Sequence, residues 1–227
     1  MLTVALLFPF YSQERRWRAI QRWSVGVCRI VCLDVRVIGA PPSTGRPILA
    51  VANHVSWLDI QTIHSVWRAR FVAKSEVRRW PVIGWLSARA GTLFIERRHR
   101  RHAASINRAI HEAFAAGDAV AVFPEGTTTE GNQLLRFHSS LLQPAVDEAA
   151  LVIPIALRYL NENGEVDVTP SYVGDRSLLE SVISVVSARR LHAHVHFLPP
   201  IDAAGRSRRE LAELSHRAIS QVLSLGT

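Results

Sequence analysis

Short apolar runs of strand length alternate along this chain with stretches whose apolar positions recur at helical spacing. Residues 34–38, 48–52, 70–73, 92–95, 119–123, 151–160 and 191–198 read as strands. Helical patterns cover a segment starting near Ser56, then residues 77–87, 103–115, about 139–148, 178–189 and 208–223. Gly117 closes the 103–115 helix, and residues 161–173 look hairpin-like. Alternation of this kind predicts an α/β fold: a mixed, largely parallel sheet flanked by helices. In such a sheet the carboxyl ends of the strands gather along one edge, where open α/β sheets hold ligands.

Ahead of the first strand lies a basic helix. Trp17, Ile20, Val27 and Val31 form one stripe, with Arg15, Arg16, Arg18, Arg22 and Arg29 mostly off it. A basic amphipathic helix with tryptophans suits a membrane interface, and the apolar start MLTVALLFPF would add insertion. Packing of the same stripe on the domain explains the pattern equally well. The organisation expected is an N-terminal amphipathic membrane-associating helical segment, residues 1–33, followed by an α/β domain, residues 34–227. The start lacks the basic leading region and cleavage site of a secretory signal, and it is too short to cross a bilayer. Residues 1–8 look like the tail of a longer apolar helix that begins upstream.

At 227 residues and 48% hydrophobic content, the chain can build one sizeable core. A formal charge of +8 and a pI near 10.8 point to an anionic partner: a phospholipid surface, a nucleic acid or an acidic carrier. Almost all of that charge is arginine, with Lys74 the single lysine. Cys28 and Cys32 lie one helical turn apart without further cysteines to complete a zinc site, so packing in a reducing compartment is the plain reading.

Candidate chemistry centres on ANHVSWLDI, residues 52–60. His54 follows the end of a buried strand, and Asp59 comes five residues later. Histidine titrates near neutrality and suits a general base; a nearby carboxylate would orient it. On a continuous helix, five residues place two side chains roughly 140° apart. Contact therefore requires His54 in a turn, with the helix starting near Ser56, which could cap it. Arg97 follows the 92–95 strand, and Glu125 with Gly126 follows the 119–123 strand, so both converge on the edge that carries His54. The chain has no G-x-S-x-G nucleophile elbow, P-loop or G-x-G-x-x-G fingerprint. Without a nucleophile, a His–Asp pair serves to deprotonate a substrate hydroxyl, whose oxygen attacks an activated carbonyl directly.

These blocks resemble those of the glycerolipid acyltransferases, the 1-acylglycerol-3-phosphate acyltransferase family. NHVSWLD is similar to the family's His-x-x-x-x-Asp block, GTLFIER (91–97) to its second, FPEGTTTEG (123–131) to its third and LVIPIAL (151–157) to its fourth. Residues 71–86 resemble the segment between the first two blocks, so the likeness spans about residues 48–159 in order. It implies acyl transfer from acyl-ACP or acyl-CoA to the free hydroxyl of a lysolipid, with no other cofactor. His54 would be the base and Asp59 its orienting partner. Glu125, Gly126 and Thr127 would lie on the acceptor side, their turn offering backbone N–H groups to an oxyanion. Arg97 would hold a phosphate or other anion bidentately, and Lys74 fits a phosphate contact or a solvated side chain equally well. The resemblance also implies a peripheral or N-terminally anchored enzyme on the cytoplasmic face of the inner membrane. One position departs from the pattern: Thr128 stands where the commonest third block, FPEGTRS, has arginine. That departure weakens the case for a phosphate-monoester acceptor and favours lysolipids with larger heads, lyso-ornithine lipids among them. Trp57, Phe71, Trp80, Val82, Ile83, Trp85 and Phe94 are candidate walls for an acyl chain, or plain core.

Two rival readings stand beside this one. His192, His194 and His196 alternate on one strand about 6.6 Å apart, which suits zinc or simply a polar strand face; with no acidic or cysteine pattern alongside, no metal is expected. The cluster ERRHRR (96–101) and the net charge suit a non-catalytic basic module for membrane or nucleic acid. No nucleic-acid motif accompanies it, so nucleic acid is not expected as a partner.

Overall fold

A computed structural model describes residues 11–41, 45–80, 83–95, 101–174, 176–188 and 190–224. Helix α1 (Gln13–Ile30) leads into β1 (Leu33–Ile38) and β2 (Ile48–Ala52). Then come α2 (Leu58–Val66), β3 (Arg70–Lys74), a 3₁₀ turn (Ser75–Arg79), α3 (Ile83–Arg89) and β4 (Leu93–Ile95). Helix α4 (Arg101–Ala115), β5 (Val120–Val122), a second 3₁₀ turn (Ser139–Leu142), α5 (Gln143–Asp147) and β6 (Leu151–Leu160) follow. The chain closes with α6 (Leu178–Ser187), β7 (Leu191–Phe197), β8 (Ile201–Asp202) and α7 (Arg208–Leu223).

The strands form one sheet in the order β1-β7-β6-β2-β5-β3-β4, with β8 on β6. Only the β6–β7 and β6–β8 pairs run antiparallel among these strands. The largely parallel α/β architecture is therefore as the periodicity predicts. Every residue of β2 is buried because helices cover both faces of the central strands. Alternation divides its side chains. Leu49 and Val51 join Ile110 of α4, Val122, Val152 and Leu211 of α7 on one side. Ile48, Ala50 and Ala52 join Ile63 of α2, Phe71, Ile153 and Ile155 on the other. Fully burying such branched side chains stabilises the fold by roughly 1.5–3 kcal/mol each.

Two predicted elements differ in detail. The helix expected over 77–87 is split, because Trp80 precedes Pro81 and is extended (φ −68°, ψ 129°). Helix α3 then packs so closely on the preceding turn that a Cβ at Gly84 would lie 2.2 Å from the Arg78 carbonyl oxygen. The hairpin expected over 161–173 shrinks to an isolated bridge between Leu160 and Val166, since Asn161 ties its side chain to the N–H groups of Asn163 and Glu165 in a tight turn.

Helix α1 packs on the domain. Its buried Ser24 donates to Gln61 Oε1 at 2.9 Å, Gln13 donates to Asp118 Oδ1 at 2.6 Å, and Cys28 and Val31 pack with Leu58 and Val185. The apolar start over residues 1–10 lies outside the described residues. No described helix is long and apolar enough to cross a membrane.

Candidate active site

Strand β2 ends at Ala52, and the turn after it is fastened from three directions. Asn53 points back into the sheet, where its amide nitrogen donates to Leu157 O (3.0 Å) and its oxygen accepts from Leu157 N (2.7 Å). It thus acts as one more strand pair, at 1% exposure. The His54 backbone N–H donates to Glu125 Oε1 (2.8 Å), and the His54 carbonyl accepts from Thr129 N (2.8 Å).

Helix α2 begins at Leu58, so His54 lies in the turn and the side chains five residues apart can meet. The local sequence builds this start. Ser56 Oγ accepts from Leu58 N (3.3 Å), the Asp59 N–H donates to Ser56 O (3.2 Å), and Asp59 Oδ2 reaches back to Ser56 N (3.0 Å). Asp59 closes onto the Ser56 N–H as the acidic residue of a capping box does, but the Ser56 hydroxyl serves Leu58 N, and the N-cap position itself is Trp57.

Asp59 is fully buried and saturated with donors. Its Oδ2 accepts from Val55 N (2.8 Å) and Ser56 N, and lies 2.7 Å from His54 Nδ1; its Oδ1 accepts from Tyr159 Oη (2.8 Å). A carboxylate already accepting three protons leaves His54 Nδ1 as the donor, so the free electron pair of the ring sits on Nε2. The His54 side chain is 21% exposed, and its ring stacks on Phe123 with centroids 4.0 Å apart and planes 11° from parallel. A buried carboxylate behind an imidazole with one solvent-facing, unprotonated nitrogen is the arrangement a general base requires. Tyr159 gives its only proton to Asp59, so Thr62 Oγ1, 3.2 Å away, donates to it in turn. Burial first, and then the charge of Asp59, push the Tyr159 phenol well above its usual range.

After β5, Glu125 bridges two loops. Its Oε1 holds His54 N and its Oε2 holds Leu135 N (2.9 Å), and the residue is buried. Burial raises its pKa to about 7 against the pull of those two N–H groups, and the Asp59 charge adds to the rise. Gly126 follows at φ +75°, a left-handed conformation that favours glycine, and its N–H closes the turn on Phe123 O (3.1 Å). Thr127 is exposed. Thr128 donates its hydroxyl to Tyr172 O, so the position that departs from the family pattern ties this loop to the segment before α6.

The sheet brings His54, Asp59 and the Glu125 turn together. Lys74 is exposed at the carboxyl end of β3, on the same edge but opposite Ile95 of β4. Arg97 lies outside the described residues. Among the wall candidates, Phe71 is buried core, Trp57 donates to Ser181 Oγ of α6 (3.1 Å), and Val82 lies outside the described residues. No group of His, Cys, Asp and Glu among the described residues could hold a metal ion. Reading the chain missed Tyr159 as the second clamp on Asp59; the available signal was a tyrosine inside an apolar strand, where a hydroxyl needs a partner.

Comparison with known proteins agrees with this architecture. Residues 34–158 match the model of the acyltransferase family. A lyso-ornithine lipid O-acyltransferase from Pseudomonas aeruginosa is 37% identical over 215 residues, covering 95% of this chain and 80% of that protein. A 1-acyl-sn-glycerol-3-phosphate acyltransferase from Neisseria meningitidis is 39% identical over 191 residues, covering 84% and 74%. The fold is that of the 1-acyl-sn-glycerophosphate acyltransferase of Thermotoga maritima, with a TM-score of 0.65 at 22% identity over 96% of this chain and 86% of that one. The chain belongs to the acyltransferase family, and it is an enzyme rather than a non-catalytic basic module.

Proposed function

We propose that this acyltransferase moves a fatty acyl group from the thioester of acyl-ACP or acyl-CoA to the free hydroxyl of a lysolipid, with His54 as general base. The observation that carries the reading is the 2.7 Å contact from His54 Nδ1 to a buried, fully solvated-by-protein Asp59. Nε2 takes the hydroxyl proton as the acceptor oxygen attacks the thioester carbonyl. Asp59 stabilises the imidazolium, and collapse of the adduct expels the thiolate, which takes the proton back from Nε2. Glu125 is a positioning residue in this scheme, because its oxygens serve the backbone of His54 and Leu135. The Gly126 N–H is engaged within the turn, so Thr127 is the better oxyanion donor. Arg97 and Lys74 are assigned to an anionic group of the acceptor.

Lyso-ornithine lipid is the favoured acceptor and 1-acylglycerol-3-phosphate the second. Thr128 favours the first, since its hydroxyl is spent on the Tyr172 carbonyl and it brings no guanidinium to a phosphate monoester. Relatives of both names support the lysolipid class. The proposed setting is beside a bilayer, at the cytoplasmic face of the inner membrane; the arginines, the 45% exposed Trp23 and the 75% exposed Ile30 of helix α1 support the membrane contact.

The test offers labelled acyl-ACP and acyl-CoA to the purified enzyme with a panel of lysolipids. Acylated lyso-ornithine lipid is expected as the main product, with at least an about hundredfold loss of rate in His54→Ala. A near-wild-type rate in that variant would contradict the assignment of the base. Better turnover of 1-acylglycerol-3-phosphate would reverse the order of acceptors.

A further inference from the structure

The three alternating histidines of β7 are not part of the site at His54, yet they do not stand alone. In the sheet register His194 lies between Arg36 of β1 and Arg158 of β6, while His192 lies beside Asp34 and His196 beside Ile38. Cross-strand partners share a face, so the row Arg36–His194–Arg158 crosses three adjacent strands, with the two arginine Cα atoms about 10 Å apart at normal strand spacing. The opposite face of β7 is buried core, whereas His192, His194 and His196 are half-buried. Neither Arg36 nor Arg158 has an ion pair or hydrogen bond to a carboxylate among the described residues. Asp34, the carboxylate facing the row, is 3.6 Å from His192 Nδ1. His196 Nε2 is shielded from solvent and has no partner among the described residues. Burial, followed by the charges of Arg36 and Arg158, lowers the pKa of His194.

We propose that this open face of β1, β7 and β6 is a binding platform for a phosphate group, held by Arg36 and Arg158 from either side of His194. Two guanidiniums flanking an imidazole in one row offer more donors than the two oxygens of a carboxylate can accept, which suits a phosphate with its several oxygens. A bound anion also offsets the mutual repulsion of the row, which the Asp34 carboxylate beside His192 compensates only in part. Arg158 directly follows Leu157, the residue whose backbone Asn53 holds, so the platform backs onto the strand that anchors the His54 turn. The phosphate has two chemical sources: the nucleotide end of a thioester donor, or an anionic lipid head group.

Calorimetric titration of the full chain with inorganic pyrophosphate, with coenzyme A, and with phosphatidylglycerol vesicles separates these. Saturable binding is expected, accompanied by a rise in the pKa of His194 read from its ring proton by NMR. Arg36→Gln and Arg158→Gln should each weaken binding at least about tenfold while the unfolding midpoint is kept. Arg158→Lys should recover part of the affinity, as a point charge replaces a fork. Tighter binding of coenzyme A than of pyrophosphate assigns the platform to the donor, and arginine-dependent binding to vesicles alone assigns it to lipid. Absence of binding to all three, or binding unchanged in both glutamine variants, overturns the proposal. The platform does not rest on the acyl-transfer reading, because binding should persist in His54→Ala.

Discussion

Tyr159 Oη donates to Asp59 Oδ1 at 2.8 Å, from a strand 100 residues further along the chain. The carboxylate behind His54 is therefore clamped twice, by the backbone of its own turn and by the central sheet. Removing the phenol hydroxyl in Tyr159→Phe deletes one clamp and leaves the Thr62 hydroxyl without its acceptor. A loss of stability of about 1–2 kcal/mol is expected in urea unfolding. In steady-state kinetics kcat should fall several-fold with KM unchanged, because the base is misaligned while the substrate contacts remain.

Asp59→Asn separates charge from orientation. Val55 N and Ser56 N both point at Oδ2, so the amide must place its oxygen there and still accept from His54 Nδ1. The tautomer is kept, the negative charge behind the imidazolium is lost, and the amide nitrogen now faces Tyr159 Oη, whose hydroxyl must turn from donating to accepting. The difference between a charged and a neutral hydrogen bond, about 1–2 kcal/mol, predicts a fall in kcat of about tenfold. A loss as large as that of His54→Ala would mean that the amide had turned over.

Glu125 links stability to pH. Its folded pKa is raised from 4.5 to about 7, so the folded protein binds more protons than the unfolded chain between those values. By linkage, this residue makes the fold less stable as pH rises through that window, with the full effect reached above about pH 7. Glu125→Gln removes the titration. Stability of the wild type relative to this variant should fall by up to about 3 kcal/mol from acid to neutral pH, measured by urea unfolding at a series of pH values. A flat difference would show that the carboxyl titrates normally.

Asn53→Ala tests the seam between β2 and β6. The substitution leaves the N–H and C=O of Leu157 buried without partners, and each such group costs about 1–3 kcal/mol. A destabilisation of about 2–5 kcal/mol is expected in equilibrium unfolding. Asn53→Asp keeps the acceptor but sets a buried carboxylate against the Leu157 carbonyl, so it should destabilise at least as much as alanine at neutral pH and less in acid, where the protonated carboxyl can donate.

Much of this molecule was legible in its sequence. The alternation of apolar runs located the sheet strands, apart from the two-residue β8, and the polar residues after β2 and β5 marked the edge where the candidate site gathers. Local rules also explain the start of α2, because Ser56 and Asp59 satisfy each other within four residues. Pro81 and Asn161 were read less well: each breaks a regular pattern through a local preference that a count of apolar positions does not register.

Residue order along the chain determined which side chains stand at strand ends, since periodicity and capping act over a few neighbouring residues. Only the folded sheet decided what those side chains hold. Glu125 is turned onto the His54 backbone, Tyr159 onto Asp59 and Arg158 beside His194 by the lateral order of strands far apart in the chain. That order is set by which buried faces fit together across the whole core, and no window of local sequence contains it.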